Sequence, residues 1–147
     1  MSKPYAYIGI DPGATTGFAL WLPNEKLLKL HSLDFWDTVY ELNNHFTLYE
    51  QRLLVVIEAA WKINKSYQRH EGESGYRGML KINRNAGAAN REGELLSLYV
   101  KRNEMRVLEI IPNARKMGAG QFRQLTGYTK RTNQHERDAA MLVWGRP

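Results

Sequence analysis

The stretch that decides the fold is YIGIDPGATTGFAL, residues 7–20. An apolar run ends in Asp11, a Pro-Gly and Thr-Thr-Gly turn follows, and a second apolar run begins at Gly17. Two apolar runs joined by a short glycine-containing turn predict a pair of β-strands. Asp11 is therefore expected at a strand end, where its carboxylate is open to a metal or a phosphate. A local hydrogen bond within the turn is the simpler explanation for an aspartate there.

The pattern of apolar residues along the rest of the chain predicts an α/β fold. Apolar runs predict strands at residues 5–10, 17–22, 26–33, 53–57 and 106–111. Helical spacing predicts helices at residues 36–46, 86–102 and 118–125, and a final helix that begins after Asn133. The polar, glycine-containing residues 62–85 are expected to form a loop. We expect a single domain over residues 1–147, with a mixed five-stranded sheet of three antiparallel strands and then parallel strands, flanked by helices.

The composition fits one globular domain of 147 residues, 43% of them hydrophobic. No apolar run approaches the ~18 residues of a membrane-spanning helix, and the first residues lack the apolar stretch of a signal peptide. The absence of cysteine excludes disulfides and thiolate metal sites. We therefore expect no membrane association and a cytoplasmic location, which is the host cytoplasm if a phage encodes the chain.

The charge of the chain favours a polyanionic partner, because the formal net charge is +6. The excess of Lys and Arg lies mainly in residues 62–91 and 115–131. Basic segments that contain glycine and aromatic residues are typical of contacts to a phosphate backbone, although solvated loops have a similar composition. The candidate DNA-binding residues are Trp61, Lys62, Lys65, Arg69, Arg91, Arg115, Lys116, Arg123, Lys130 and Arg131.

Glu58 is the second acidic position that can contribute to a site with Asp11. It directly follows the apolar run of residues 53–57, and parallel strands deliver functional groups at their carboxyl ends. A Lys or Arg partner at the edge of the core would give it a purely structural role instead. The small residues Ala59 and Ala60 that follow leave space around the carboxylate.

A third acidic position lies in the final helix. His135 and Asp138 are three residues apart, so they share a helix face. The attraction of acidic groups to a helix start is a simpler explanation, and it suits Glu136, which can form a capping box with Asn133. His135 and Asp138 are left unexplained by that box. Carboxylates that are distant in sequence, but stand at the ends of strands or helices that meet in the fold, are typical of a divalent-metal site.

Three segments together resemble the RuvC family of Holliday-junction resolvases, in the ribonuclease H-like superfamily. They are IGIDPG at residues 8–13, VIE at residues 56–58 and HERDAA at residues 135–140, and they follow one another in the family's order. The resemblance covers nearly the whole chain and implies a ribonuclease H-like strand order. It also implies that the four metal-binding positions are Asp11, Glu58, His135 and Asp138.

The resemblance implies an activity, cofactors and partners. The activity is hydrolysis of phosphodiesters at four-way DNA junctions with two Mg²⁺ ions per active site, for which Mn²⁺ can substitute. Asp11 would bridge the ions, Glu58 would hold one, and His135 with Asp138 the other. Lys116 would neutralise charge on the phosphate. The expected partners are branched DNA, a second copy of the chain in a homodimer, and a branch-migration helicase.

Two further positions follow from the same resemblance. Trp61 stands where the family carries an aromatic that stacks on unpaired bases, although a core or rim aromatic is an equal alternative. The predicted helix 86–102 is the candidate dimer interface, because Leu95, Leu98 and Tyr99 lie off its core-facing side. A wider buried stripe within one monomer would explain these three residues as well.

The chain also departs from the family, and other functions stay open. The family's Gly-Gln-Ala-Arg-Gly signature is only loosely echoed by residues 87–91, and its basic residues near the scissile phosphate match Lys116 and Arg123 approximately. A divergent, phage-type nuclease with broader specificity for branched DNA is one alternative. A nucleotide-binding, ATPase-type domain that uses the loop of residues 11–17 is another. A DNA-binding protein without catalysis is the third.

Overall fold

The computed structural model describes residues 2–63, 75–113 and 115–147, with residues 75–86 described by their backbone alone. Within these residues, five strands form one sheet: β1 (Ala6–Asp11), β2 (Thr16–Leu22), β3 (Leu27–Leu33), β4 (Leu53–Glu58) and β5 (Arg106–Ile110). Their order across the sheet is β3-β2-β1-β4-β5. The first three strands pair antiparallel, whereas β4 pairs parallel with both β1 and β5. The mixed five-stranded sheet expected from the sequence is confirmed.

The part of the chain that the structure describes contains four α-helices: α1 (Phe35–Tyr49), α2 (Gly75–Arg102), α3 (Ala119–Thr126) and α4 (Gln134–Val143). Short 3₁₀ turns occupy Pro23–Glu25, Glu50–Arg52 and Ala60–Lys62. The predicted capping box of the last helix is confirmed, since the Asn133 side chain accepts from the Glu136 backbone N–H and the Glu136 carboxylate accepts from the Asn133 N–H. In the described part of the chain, no helix combines the length and the hydropathy that crossing a membrane requires.

The helices cover both faces of the sheet because its strands are apolar on both sides. Ile8, Ile10 and Phe18 face one core, which Leu42 of α1 and Leu96 of α2 complete. The alternate strand positions face a second core with α3 and α4, formed by Tyr7, Ala19, Trp21, Val56, Phe122, Ala139 and Val143. This two-residue alternation places consecutive side chains of a strand in opposite cores.

Helix α4 lies directly on the backbone of the two central antiparallel strands. A Cβ atom on Gly9 would stand 2.2 Å from the Ala139 carbonyl oxygen, and one on Gly17 would stand 2.0 Å from the His135 carbonyl oxygen. Only glycine permits such an approach. The glycines of β1 and β2 therefore set the depth at which α4, with its polar first turns, sits against the sheet.

One element differs from the sequence-based prediction. Residues 75–85 were expected to belong to a loop, but α2 begins at Gly75. Gly75 and Gly78 obscure the helical spacing of Tyr76, Met79 and Leu80 in the sequence, so the prediction was wrong for these residues. The rest of the predicted loop that follows residue 63, including the candidate DNA-binding residues Lys65 and Arg69, lies outside the described residues.

Candidate active site

Asp11 and Glu58 end neighbouring parallel strands. The register pairs Ile10 of β1 with Ile57 of β4, so the next residue of each strand is one of the two acids. Both carboxylates therefore leave the sheet at the same carboxyl edge, where α/β folds place functional groups. Asp11 is buried, with 7% of its surface exposed, and Glu58 is half-buried.

His135 reaches Asp11 from the first turn of α4. Its Nδ1 atom lies 3.0 Å from Asp11 Oδ2. Gly17 pairs with Asp11 across β1 and β2, and the backbone of His135 rests on that glycine. The start of α4 is further fixed to β3, because Asn133 Nδ2 donates to Ser32 Oγ at 2.6 Å. The imidazole therefore stands beside the Asp11 carboxylate because of backbone packing.

Asp138 lies one turn further along α4 and is held by two donors. Lys116 Nζ donates to its Oδ2 atom at 2.6 Å, and Gln134 Nε2 donates to its Oδ1 atom at 2.8 Å. The Asp138 side chain is 11% exposed, whereas Lys116 is 53% exposed. Sequence reasoning missed Gln134, although its i,i+4 spacing from Asp138 on a helix was the available signal.

Lys116 is placed by the segment between β5 and α3. The backbone carbonyl of the next residue, Met117, accepts from Arg137 Nε at 2.9 Å and from Gln134 Nε2 at 3.4 Å. Arg137 also donates to Thr132 through Nη1. These bonds tie the segment to α4, so the Lys116 ammonium and the Asp138 carboxylate are positioned by the same helix.

The three carboxylates share one electrostatic environment. Burial and then the neighbouring Asp11 charge raise the pKa of Glu58 to about 7, and Asp138 adds to the shift. Burial also raises the pKa of Asp11, against the opposing effect of His135. Partial burial opposes protonation of Lys116, but its hydrogen bond to Asp138 and the charges of Glu58 and Asp11 raise the pKa of its ammonium. Ionisation of Asp11 and Glu58 is therefore disfavoured in the folded protein, and nearby positive charge lowers that cost.

The chemistry of this donor set fits a divalent cation, since carboxylate oxygens and one imidazole are the ligands that Mg²⁺ and Mn²⁺ accept. In their present conformations, however, no three acidic or histidine side chains among the described residues stand close enough to hold one ion together. Asp11 is turned to His135 and Asp138 to Lys116. Binding an ion would therefore require these side chains to exchange partners.

A cleft of about 840 Å³ opens beside Glu58 and Asp138. The predicted cations Arg115 and Lys116 line it. Arg123 on α3 instead donates to the Thr129 carbonyl oxygen at 3.4 Å. The other predicted cations of this region, Lys130 and Arg131, are exposed in the segment before α4. Of the five predicted basic side chains of this region, Arg115 and Lys116 thus line the cleft beside the carboxylates.

Trp61, Lys62 and Arg91 line a second, shallower cleft of about 380 Å³. Trp61 is half-buried, and a Cβ on Gly93 of α2 would stand 2.6 Å from its ring. Lys62 Nζ lies 2.8 Å from Glu109 Oε2, a carboxylate that Lys101 also binds. This ion-pair cluster was missed by sequence reasoning, because Glu109 lies inside β5 and its partners come from distant elements.

No protein-family model, curated protein or solved structure matches this chain. The fold and the site therefore define its class without a relative. The chain is an α/β domain in which carboxylates from β1, β4 and α4 gather at the carboxyl edge of a mixed sheet, beside a cleft with basic residues.

Proposed function

We propose that the chain is a metal-dependent endodeoxyribonuclease of the RuvC type, with a ribonuclease H-like fold, that resolves four-way DNA junctions by paired phosphodiester hydrolysis. The observation that carries the proposal is the gathering of Asp11, Glu58 and Asp138 at one edge of the sheet, with mutual charge effects on their pKa values. His135 stands beside them. These are the four positions that the sequence resemblance selects.

The sheet supports the proposal at the level of the fold. Three antiparallel strands followed by parallel strands is the arrangement expected from the resemblance. Asp11 ends the central strand β1, flanked by β2 and β4. The Asp11 carboxylate has Glu58 on the neighbouring strand β4 and the His135 imidazole of α4 beside it, which suits a ligand shared by two ions.

The residues of the site have distinct roles in this proposal. Asp11 would be shared by two Mg²⁺ or Mn²⁺ ions, Glu58 would serve one, and His135 with Asp138 the other. Bound ions would lower the pKa of the attacking water and stabilise the leaving 3′-oxygen. Lys116 already lies against Asp138, so its ammonium is within reach of a phosphate brought to that carboxylate.

DNA would approach the site across its basic border. Arg115 and Lys116 lie in the larger cleft, and Lys62 and Arg91 lie in the smaller one. Lys and Arg side chains contact phosphates without regard to sequence, so this border would position a strand and leave selectivity to other contacts. Trp61 can offer stacking only through the part of its ring that Gly93 does not cover.

Two symmetric cuts require two active sites, which a homodimer supplies through one self-complementary surface. Leu98 on α2 is 43% exposed and can contribute to that surface. Tyr99 is held within the monomer, because its hydroxyl donates to Asn43 of α1. We therefore assign the interface to the exposed side of α2 around Leu98. Sedimentation should give twice the monomer mass, and Leu98→Glu should give the monomer mass.

The experiment that tests the function compares DNA substrates of one sequence in Mg²⁺. A four-way junction, a fork and a linear duplex are incubated with the protein, and the products are separated by denaturing electrophoresis. Paired cuts in the junction alone are expected. Equal cutting of the fork would favour the broader branched-DNA nuclease. Retention of ATP without cleavage would favour the ATPase-type domain, and junction binding without cleavage in Mg²⁺ or Mn²⁺ would indicate a binding protein.

A further inference from the structure

The larger cleft extends well beyond the carboxylates. From Glu58 and Asp138 it continues between the end of β5, helix α3 and the second half of α4. Its volume of about 840 Å³ lies within the ~300–1,000 Å³ range of pockets that hold a small molecule. A metal site alone does not need this space. The cleft is therefore large enough for part of a substrate in addition to the reacting phosphate.

The lining of the cleft includes exposed apolar side chains. Ile111, Leu125 and Met141 are 58%, 44% and 37% exposed, although the chain buries most of its other large apolar side chains in its two cores. Ile111 directly follows β5, Leu125 lies on α3 and Met141 on α4, and all three line the same cleft. Gathered apolar groups that remain accessible beside a reactive site indicate a ligand with a flat, apolar face.

The polar residues of the same wall define the rest of that ligand. Asn113, Gln121 and Gln124 line the cleft, and each amide can both donate and accept hydrogen bonds. Arg115, Lys116 and Arg146 supply positive charge to the same lining, and Lys116 contacts Asp138. An apolar face, an edge with donors and acceptors, and an anionic group at one end are together the chemistry of a nucleotide.

The walls are held in place by contacts outside the cleft. The Met117 carbonyl is bonded to Arg137 and Gln134 of α4. Helix α3 is anchored by Phe122, which is 1% exposed and packs edge-on against Tyr128. The cleft is therefore formed before a ligand arrives, which lowers the entropic cost of binding.

We propose that this cleft receives one unstacked nucleobase of the DNA strand whose phosphate lies at Asp11, Glu58 and Asp138. The base lies between the apolar side chains of α3 and α4, and the amides contact its edge. This inference rests on the proposed nuclease function and adds a base-binding subsite to it. It predicts that one nucleotide beside the cut is recognised as a base in this cleft, separately from any base that stacks on Trp61.

The test removes bases singly from the cleaved strand. Junctions with one abasic residue at successive positions around the cut are compared in single-turnover cleavage. Wild type should cleave about 5- to 150-fold more slowly when the abasic residue stands at one particular position beside the cut, the range that stacking of one base supplies. Similar rates at every abasic position would overturn the subsite while leaving the nuclease function in place.

Variants that fill the cleft locate the effect. Leu125→Trp should cleave intact and abasic junctions equally slowly, so that no abasic position is slower than the others. Met141→Trp on α4 should behave in the same way and replaces Leu125→Trp if that variant folds poorly. Leu48→Trp is the matched control, because Leu48 is 63% exposed on α1 and outside the cleft. It should keep the wild-type profile. If one abasic position still slows cleavage more than the others in both cleft variants, the assignment is contradicted.

A binding measurement separates this inference from the nuclease proposal. A strand carrying 2-aminopurine brightens when that base leaves its neighbours, and the signal needs no cleavage. Wild type and Leu48→Trp should brighten it at one position, and Leu125→Trp should not. If the protein cuts no DNA, the nuclease proposal is contradicted, whatever the fluorescence shows. If all three proteins brighten 2-aminopurine equally, the base-binding subsite is contradicted, whether or not the protein cuts DNA.

Discussion

At the scale of the residue, Glu58 combines a strongly raised pKa with a place in the proposed metal set. Burial and the charge of Asp11 hold its pKa near 7. A carboxylate with this pKa is costly to ionise in the folded protein unless a cation arrives. Such a cost at a functional position is typical of sites that are organised for a ligand.

The first prediction concerns the stability of Glu58→Gln. The pKa of Glu58 is higher in the folded protein than in the unfolded chain, so protonated Glu58 favours the folded state. This contribution is fully present below about pH 4.5 and is lost as the pH rises through about 7. In metal-free buffer at pH 8, Glu58→Gln should therefore melt at a higher temperature than wild type, and at pH 4 the two should agree. Calorimetry with a chelator measures both. A lower melting temperature at pH 8 would show that the ionised carboxylate stabilises the fold.

The second prediction concerns His135, which touches Asp11 in the structure. If the imidazole is a metal ligand, His135→Asp should keep cleavage, because a carboxylate supplies an equivalent donor. His135→Ala should lose it. Single-turnover rates in Mg²⁺ and Mn²⁺ compare the variants, with His31→Ala on the exposed side of β3 as the control. Wild-type rates for His135→Ala would reduce the residue to a structural role.

At the scale of the element, α4 delivers two of the four proposed ligands, and its position depends on glycine. The sequence predicted the helix, its cap and its shared His135–Asp138 face. It could not predict that the His135 carbonyl lies against Gly17, because that contact joins elements far apart in the chain. Local patterns identify elements, whereas packing between elements decides which side chains meet.

The third prediction follows from that contact. A Cβ at position 17 would overlap the His135 carbonyl oxygen, so Gly17→Ala must push α4 away from β2. We expect a loss of about 1–3 kcal/mol in the free energy of unfolding and a larger loss of cleavage. Gly120→Ala on α3 is the control, since open space surrounds Gly120 and alanine favours helix by about 1 kcal/mol. Urea denaturation measures both, and equal stability of the two variants would contradict the packing argument.

The fourth prediction concerns the ion-pair cluster that joins β5, α2 and the turn after β4. Hydrogen bonds from Lys101, Lys62 and Ser97 lower the pKa of Glu109 to about 2. A lowered pKa stabilises the fold above about pH 4.5, and this contribution is lost as the pH falls through about 2. Because Lys62 and Lys101 are 47% and 54% exposed, the effect should be about 1 kcal/mol.

Glu109→Gln tests this cluster. Its free energy of unfolding should lie below that of wild type at pH 6, and the difference should shrink toward pH 2. Glu104→Gln, in the exposed turn before β5, is the control and should match wild type throughout. A Glu109→Gln difference that stays constant with pH would show that the ion pairs do not act through the carboxylate charge.

At the scale of the whole molecule, the sequence predicted the architecture better than the site. Periodicity gave the strands and most helices, and the resemblance selected Asp11, Glu58, His135 and Asp138. The partners that these side chains take in the structure were not predictable. Lys116 and His135 pair with Asp138 and Asp11 because three-dimensional packing brings them there. The apolar cleft was equally hidden, since its walls come from β5, α3 and α4.

The most direct test of the central claim is cleavage of a four-way junction by Asp11→Asn in saturating Mg²⁺. Asp37→Asn, an exposed acid in the first turn of α1, is the matched control. Asp11→Asn should bind the junction as wild type does and cut it at least about 100-fold more slowly, because metal ions supply several kcal/mol of transition-state stabilisation. Asp37→Asn should cut at the wild-type rate. Cleavage by Asp11→Asn at that same rate would contradict the account.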